Sequence, residues 1–371
     1  MAEVVVIGAS LPGLAAATWL AQAGVDVALL DRRVDLADTA FARGPGVLHG
    51  GLPEQAWRLV SSLGADQAGV LHRFGAEGLE LLSTLAPVNP CGTVWAAAES
   101  EREPGELARS VDALQAMGLP AELGDGARVD AEVGSVGFHG GMWRPDEGTC
   151  VPIDVVAALL TGARAAGVVV HLGARVTDVR AHDGAFEVVA GAITVPAEIV
   201  IYAGEADAIG LDSFYDDCLF PVREQALALR RATPLPLGLR AAFGWTQAWT
   251  RPDGALALAG CRWASDHMEE GETDDHTLNE HVQAKLEGFA HRYFPDAGEV
   301  IERWAWIQAH TCDGLPLVGP LPGDPRRVSL VGFGGCEAGL GVRSARAVVD
   351  GILHGHADGV PTGFAPSRLI A

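Results

Sequence analysis

The chain opens on a short apolar run, Val4-Val5-Val6-Ile7, cut off by Gly8. A run of that length bounded by glycine reads as a buried β-strand. Alanine-rich sequence from about Leu14 to Ala23 then reads as a helix that Gly24 stops. Val25 to Leu30 reads as a second strand, ending at Asp31. The rhythm recurs further on: a helix from Ile153 to Ala166 with Gly167 behind it, a strand from Val168 to Leu172, then Ala174-Arg175-Val176-Thr177-Asp178-Val179. Two more strands lead into Glu198-Ile199-Val200-Ile201-Tyr202-Ala203-Gly204. Near the C-terminus Val328-Ser329-Leu330-Val331 meets Gly332-Phe333-Gly334-Gly335, and a helix is expected from about Val342 to Leu353. Strands alternating with helices in this way predict an α/β chain built on βαβ units.

The first turn, Gly8-Ala9-Ser10-Leu11-Pro12-Gly13, is a G-x-G-x-x-G pattern with Ser10 in the middle glycine slot. Glycines there let the backbone turn sharply and approach a pyrophosphate, which then sits on the helix N-terminus. Ser10 is small enough to keep that approach, and Pro12 suits a first helical turn. Asp31, at the end of the second strand, is placed to accept hydrogen bonds from an adenosine ribose. Strand, helix, second strand and terminal acid agree on a dinucleotide site.

Bulk composition narrows the partners. The 371 residues are 49% apolar, enough for a large core. A formal charge of −22 disfavours nucleic acid and an anionic membrane surface, both of which ask for a basic face. The acidic stretch from Glu269 to Asp275 reads as a solvated loop or helix start. Six scattered cysteines without a CxxC pair, and no signal-like or membrane-length apolar segment, predict a protein of the reducing cytoplasm. His310/Cys312 and His354/His356 are isolated pairs without four-ligand spacing, so no metal is expected.

Several spaced motifs then choose between NAD and FAD. They are the N-terminal fingerprint, the strand end at Ala203-Gly204, Pro221-Val222-Arg223-Glu224-Gln225, Asp313-Gly314-Leu315-Pro316-Leu317-Val318-Gly319-Pro320, and the Gly332 to Gly335 block. On these, over nearly the whole chain, the sequence resembles the D-amino acid oxidase superfamily of FAD oxidoreductases, in particular its glycine oxidase and sarcosine oxidase branch. The resemblance implies a Rossmann-like, glutathione reductase-type FAD-binding domain in three pieces (1–85, 145–215 and 311–371). A smaller α+β substrate domain with a mostly antiparallel sheet takes 86–144 and 216–310. It implies FAD held non-covalently by Gly8 to Gly13, Asp31, Arg32, Arg33, Ala42, Arg43, Gly44, Gly46, Val47, Val176, Ala203 and Gly204. The loop from Gly332 through Gly334, Gly335, Cys336, Gly339 and Leu340 would face the flavin. The expected reaction is hydride transfer from the carbon of a small amine or amino acid to flavin N5, giving an imine, with O2 or another acceptor taking the electrons. Such chemistry asks the protein mainly for orientation and exclusion of water.

The departures from the family pattern supply the candidate substrate residues. The segment Trp304-Ala305-Trp306-Ile307-Gln308-Ala309 carries Gln308 where relatives place a carboxylate-clamping Arg. A neutral amide binds but does not neutralise, which points to an atypical, aromatic or non-carboxylate substrate. Arg262, Arg303 and Arg343 are other candidate clamps. Glu337 replaces a glycine near the flavin, where an acid can pair with an amine or act as a base; the alternative is a surface Glu at a helix start. His49 lines the pocket or, as in dimethylglycine dehydrogenase-like relatives, tethers flavin. Trp245 and Trp306 are candidate aromatic walls. Leu258 aligns with the oxygen-activating Lys of sarcosine oxidases. Two rival readings stand beside the leading one. A flavin monooxygenase or halogenase shares the Rossmann start, but Gln308-Ala309 breaks the halogenase W-x-W-x-I-P pattern. A non-catalytic flavoprotein is suggested by the altered Gln308 and Glu337.

Overall fold

A computed structural model describes residues 2–357 and 359–370; the outermost residues of the expected cofactor segments, 1 and 371, lie outside them. Ala2–Ile7 pairs in parallel with Val27–Asp31 on one side and with Ile193–Tyr202 on the other. Val169–Leu172 and Asp324–Val331 extend this parallel sheet at either end, and Leu317–Leu321 closes it antiparallel. Ile193–Tyr202 forks. Its second half joins the parallel sheet, while its first half pairs antiparallel with Ala185–Ala190, which pairs in turn with Asp178–His182. The helix Leu11–Gln22 packs between Pro152–Ala165 and Val342–His354, so one buried apolar face unites segments from both ends of the chain.

In the N-terminal unit two element starts differ from the sequence reading for local reasons. The first helix starts at Leu11, not Leu14, because the Gly13 N–H donates to Ser10 Oγ at 3.2 Å and Pro12 needs no amide partner in a first turn. The second strand is Val27–Asp31 and takes Asp31 into its last, fully buried position.

A second eight-stranded sheet runs in the order Ala297–Thr311, Leu219–Arg231, Leu256–Gly260, Thr246–Thr250, Gly238–Ala241, Thr93–Ala96, Gly140–Arg144, Glu122–Asp125. Every pair is antiparallel except Thr93–Ala96 with Gly238–Ala241. Side chains alternate between the faces. Leu227, Leu229, Leu256 and Leu258 pack under the helix Glu280–Tyr293, whereas Ala226, Ala228, Ala257 and Ala259 lie with Trp306 on the other face. Leu258 is therefore a core residue. The neighbour of opposite parity, Ala259, faces the cavity described below.

Three local features position the site. The helix Ala65–Leu85 carries Gly75 and Gly78 where two loops touch its backbone. A Cβ on Gly75 would strike Gly50, and one on Gly78 would lie 2.6 Å from the carbonyl carbon of Gly339 and closer to its oxygen. Ala242, Phe243 and Gly244 are three successive residues in the left-handed region (φ 51°, 57° and 86°), anchored where the Phe243 N–H donates to Glu103 Oε1 at 2.7 Å. The acidic stretch is not wholly solvated. Glu269 is 3% exposed and receives Arg223 Nε, Gln225 Nε2 and Asn279 Nδ2, so a buried arginine on the adjacent strand draws the carboxylate inward. No helix among the described residues is long and apolar enough to cross a membrane, and all six cysteines are free.

Candidate functional site

At the C-terminal ends of the parallel strands the Rossmann turn opens into a narrow mouth. Ser10, Leu11, Asp31, Arg33, Thr39, Ala40, Phe41, Ala203, Gly204, Glu205 and Glu337 line it. Its glycines are required by close approach. A Cβ on Gly8 (φ +110°) would lie 2.5 Å from the Gly204 nitrogen, and one on Gly13 would meet Ala203 Cβ at 3.0 Å. Asp31 accepts the Ala9 N–H at 2.7 Å and the Arg33 N–H at 2.8 Å, which fixes its carboxylate beside the turn. Gly173 and Ala174, leading to Val176, donate to the Arg33 and Asp31 carbonyls and bring that loop alongside. A helix N-terminus, bare glycine backbone and a fixed terminal acid suit a dinucleotide diphosphate and ribose, so the residues present fit FAD.

The mouth continues, through shared Ala40, Phe41 and Glu337, into a cavity of about 230 Å³ between the two sheets. The C-terminal loop contributes Gly334, Gly335, Glu337 and Ala338; the segment after the short helix Ala40–Arg43 contributes Gly44, Pro45, Val47 and His49. The second sheet contributes Glu224, Gln247, Ala259, Trp306, Gln308 and His310, with Trp245 and Arg262 at its strand ends. Trp306, Gln308 and His310 are successive same-face residues of Ala297–Thr311, and Glu224 stands opposite Trp306 in the register. The flavin loop touches this row: a Cβ on Gly335 would lie 3.4 Å from Gln308 Nε2, and one on Gly334 3.3 Å from the His310 ring.

The charges of the cavity are unusual. Arg262 Nε and Glu224 Oε1 form an ion pair at 2.6 Å, and Arg262 Nη1 also donates to the Met268 carbonyl at 3.0 Å. Arg262, the one cationic side chain among the described residues that line the cavity, is thus already partnered. Burial raises the Glu224 carboxyl against that pairing. Glu337 is 4% exposed, so it is not a surface residue, and burial pushes its carboxyl up to about 7. Burial, and then the neighbouring Glu337, push Glu205 well above the carboxylate range; Gly332 N–H donates to it at 3.2 Å. A protonated Glu205 removes one repelling charge from the diphosphate mouth. Burial lowers His310 to about 4, helped by Arg262, and holds His49 neutral, with Arg240 adding to the effect. His49 Nδ1 donates to the Gly51 carbonyl at 3.0 Å.

Other expected cofactor residues fall to either side. Ala42 and Arg43 line neither space, and Arg43 turns to Asp275 and the Ala305 carbonyl. Arg32 pairs with Asp207 at 2.6 Å. Gly46 faces the Trp249 ring, Leu340 is a core residue, and Cys336 is buried, its thiol pushed up to about 12 by burial first and then Glu337. Gly332 is in the left-handed region, against Thr311. Gly339 sits in a π-helical turn, Glu337–Gly341, pressed between the Gly75 and His49 carbonyls, to which a Cβ would lie 2.9 Å. Sequence reasoning missed Glu205, Glu224, Gln247 and His310. Only His310 carried a usable signal, the period-two continuation of Trp306 and Gln308.

Residues 3–350 match the family described as DAO, FAD dependent oxidoreductase. The chain is 27% identical over 338 residues to the "tRNA 5-methylaminomethyl-2-thiouridine biosynthesis bifunctional protein MnmC" of Burkholderia vietnamiensis, covering 88% of this chain and 50% of that protein. It therefore spans about half the length of that relative. Among solved structures it resembles glycine oxidase from Geobacillus kaustophilus (TM-score 0.79, 19% identity, 100% and 99% of the two chains). It also resembles L-proline dehydrogenase from P. horikoshii (TM-score 0.84, 17% identity, 99% and 97%).

Proposed function

The chain belongs to the DAO family of FAD-dependent oxidoreductases, and from that premise we propose that it oxidises the C–N bond of a small amine that needs no carboxylate clamp. The observation that carries the reading is the Arg262–Glu224 pair in the cavity wall, 2.6 Å apart, beside the neutral Gln308. An arginine paired with one carboxylate and a backbone carbonyl has little left for a substrate carboxylate. Trp245, Trp306 and Phe41 offer aromatic surface to an amine's carbon skeleton, and cations also sit favourably over such rings. Bound FAD would supply the hydride acceptor. Glu337 Oε takes the proton of the bound ammonium, leaving the nitrogen lone pair free, a task suited to a carboxyl near 7. Gln308 and neutral His310 hydrogen-bond the substrate and fix its orientation, and the buried walls exclude water.

The Burkholderia relative's name supplies a second reading, an amine carried on tRNA. The net charge of −22 opposes it, because a polyanion meets repulsion where it needs a basic face. The test is anaerobic mixing of the flavoprotein with a panel of secondary and aromatic amines, amino acids, hydroxy acids, NAD(P)H and tRNA, followed by loss of flavin absorbance. Bleaching by amines, ahead of amino acids, is expected. Bleaching only by NAD(P)H, hydroxy acids or tRNA refutes the proposal, and bleaching by none of the panel favours a non-catalytic flavoprotein.

A further inference from the structure

Behind His49, and separate from the large cavity, lies a second, much smaller space lined by His72, Thr93, Trp95, Arg144, Glu147 and Arg240 together with Glu54 and apolar side chains. We propose that it is a binding site for one small monovalent anion of halide size, with Arg240 as its principal ligand. Arg240 belongs to the strand Gly238–Ala241, is 3% exposed, and lies 4.2 Å over the Trp95 ring. Its Nε and Nη2 find no hydrogen-bond acceptor. Among the described residues it has no carboxylate within ion-pairing distance.

The surrounding acids are committed elsewhere. Arg144 is held by Asp146 at 2.8 Å and lies 3.5 Å from Glu147. Glu147 also accepts the Gly50 N–H at 3.2 Å and the Thr93 hydroxyl at 2.6 Å. Glu54 accepts the Gln55 N–H at 2.7 Å and pairs with Arg58. What remains unpartnered among the described residues is mostly donors: three N–H groups of Arg240 (one on Nε, two on Nη2), the Trp95 indole N–H, and the His72 ring, neither of whose nitrogens has a partner. His72 is neutral, its pKa lowered to about 4 by burial and then by Arg144, so it offers one further N–H.

Glu147 attracts the Arg240 guanidinium without bonding it, and a buried guanidinium whose N–H groups meet no acceptor is still strongly unfavourable, so a chain that keeps one supplies compensation. One water in this place would accept from two N–H groups at most, whereas a halide accepts from the guanidinium, the indole and the imidazole together. The space is about 20 Å³, room for a single water-sized or halide-sized occupant. Phosphate and carboxylates are excluded by size.

This inference is independent of which substrate the enzyme oxidises. Crystals of the purified flavoprotein, grown without halide and soaked in bromide, are expected to show an anomalous peak between Arg240, Trp95 and His72. In solution, replacing sodium gluconate by sodium chloride at constant ionic strength should raise the thermal midpoint along a saturating curve. Arg240→Met should abolish the saturating response. Trp95→Phe keeps the stacked ring but removes one N–H, and should weaken chloride binding about tenfold; it carries the solution test should Arg240→Met fail to fold. Absence of the bromide peak, or a chloride response in Trp95→Phe equal to that of the wild type, overturns the proposal.

Discussion

Gly78→Ala should loosen the grip on FAD from a position that has no part in binding it. The residue lies on the helix Ala65–Leu85, against the carbonyl of Gly339 in the turn that follows Gly334 and Gly335. The new Cβ would sit 2.6 Å from the Gly339 carbonyl carbon, where ordinary contact begins at 3.4 Å. The turn must therefore retreat by about 1 Å, since backbone meets backbone and no flexible side chain can give way. Two effects of opposite sign compete. Alanine gains about 1 kcal/mol over glycine in a helix interior, while overpacking costs about 1–3 kcal/mol. Where the turn yields, the cost falls on the bound state, and FAD affinity should drop roughly 5- to 150-fold. Flavin fluorescence titration of the apoprotein, with thermal midpoints of apo and holo forms, reads both. Gly162→Ala is the control, a helix glycine whose added Cβ would meet nothing within 4 Å, and it should be neutral or stabilising. If Gly78→Ala binds FAD like the wild type and raises the midpoint, the backbone-contact argument is wrong.

Three further outcomes are expected. Burial holds Glu337 at about 7, above its ordinary 4.5, so its neutral form contributes stability that is complete below about 4.5 and fades as pH rises through 7; Glu337→Gln should flatten that part of the pH–midpoint curve, and an unchanged pH dependence would argue against a carboxyl in the mouth. Gln308→Arg should lower KM for small amino acids about tenfold by supplying the missing clamp; no gain would place Gln308 out of reach of the substrate. Acid precipitation should release all of the flavin into the supernatant, because the Nδ1 of neutral His49 is engaged by the Gly51 carbonyl, whereas yellow pellet protein would point to a covalent bond.

What could be read from the sequence follows from how local the cause is. The Rossmann mouth was legible because its requirements lie within one turn and two strands, and Gly8 and Gly13 are glycine for reasons of contact that any such turn shares. Gln308 was visible as a departure from a family pattern. Glu224, Gln247 and Ala259 were not, because each lines the cavity only through the register of Leu219–Arg231, Thr246–Thr250 and Leu256–Gly260. Leu258 shows the cost of losing that register: one residue of slip exchanges the cavity for the core. Glu269 was misread for a different reason. A run of acids is ordinarily solvated, and the distant Arg223 and Gln225, with Asn279, make this one a buried anchor.

The forked strand Ile193–Tyr202 has a consequence for biosynthesis. Ala2–Ile7 cannot acquire that neighbour until some 190 further residues have left the ribosome (Ala2 pairs with Ala197), roughly 10–40 s at ordinary rates of translation. Asp324–Val331, and with it the loop that walls the cavity, comes later still. Until then the first strand and helix wait with an uncovered apolar face, exposed to chaperones and proteases. Flavin colour in a nascent or truncated product would therefore report that synthesis has passed residue 331, and FAD supply during translation should govern yield more than FAD added afterwards.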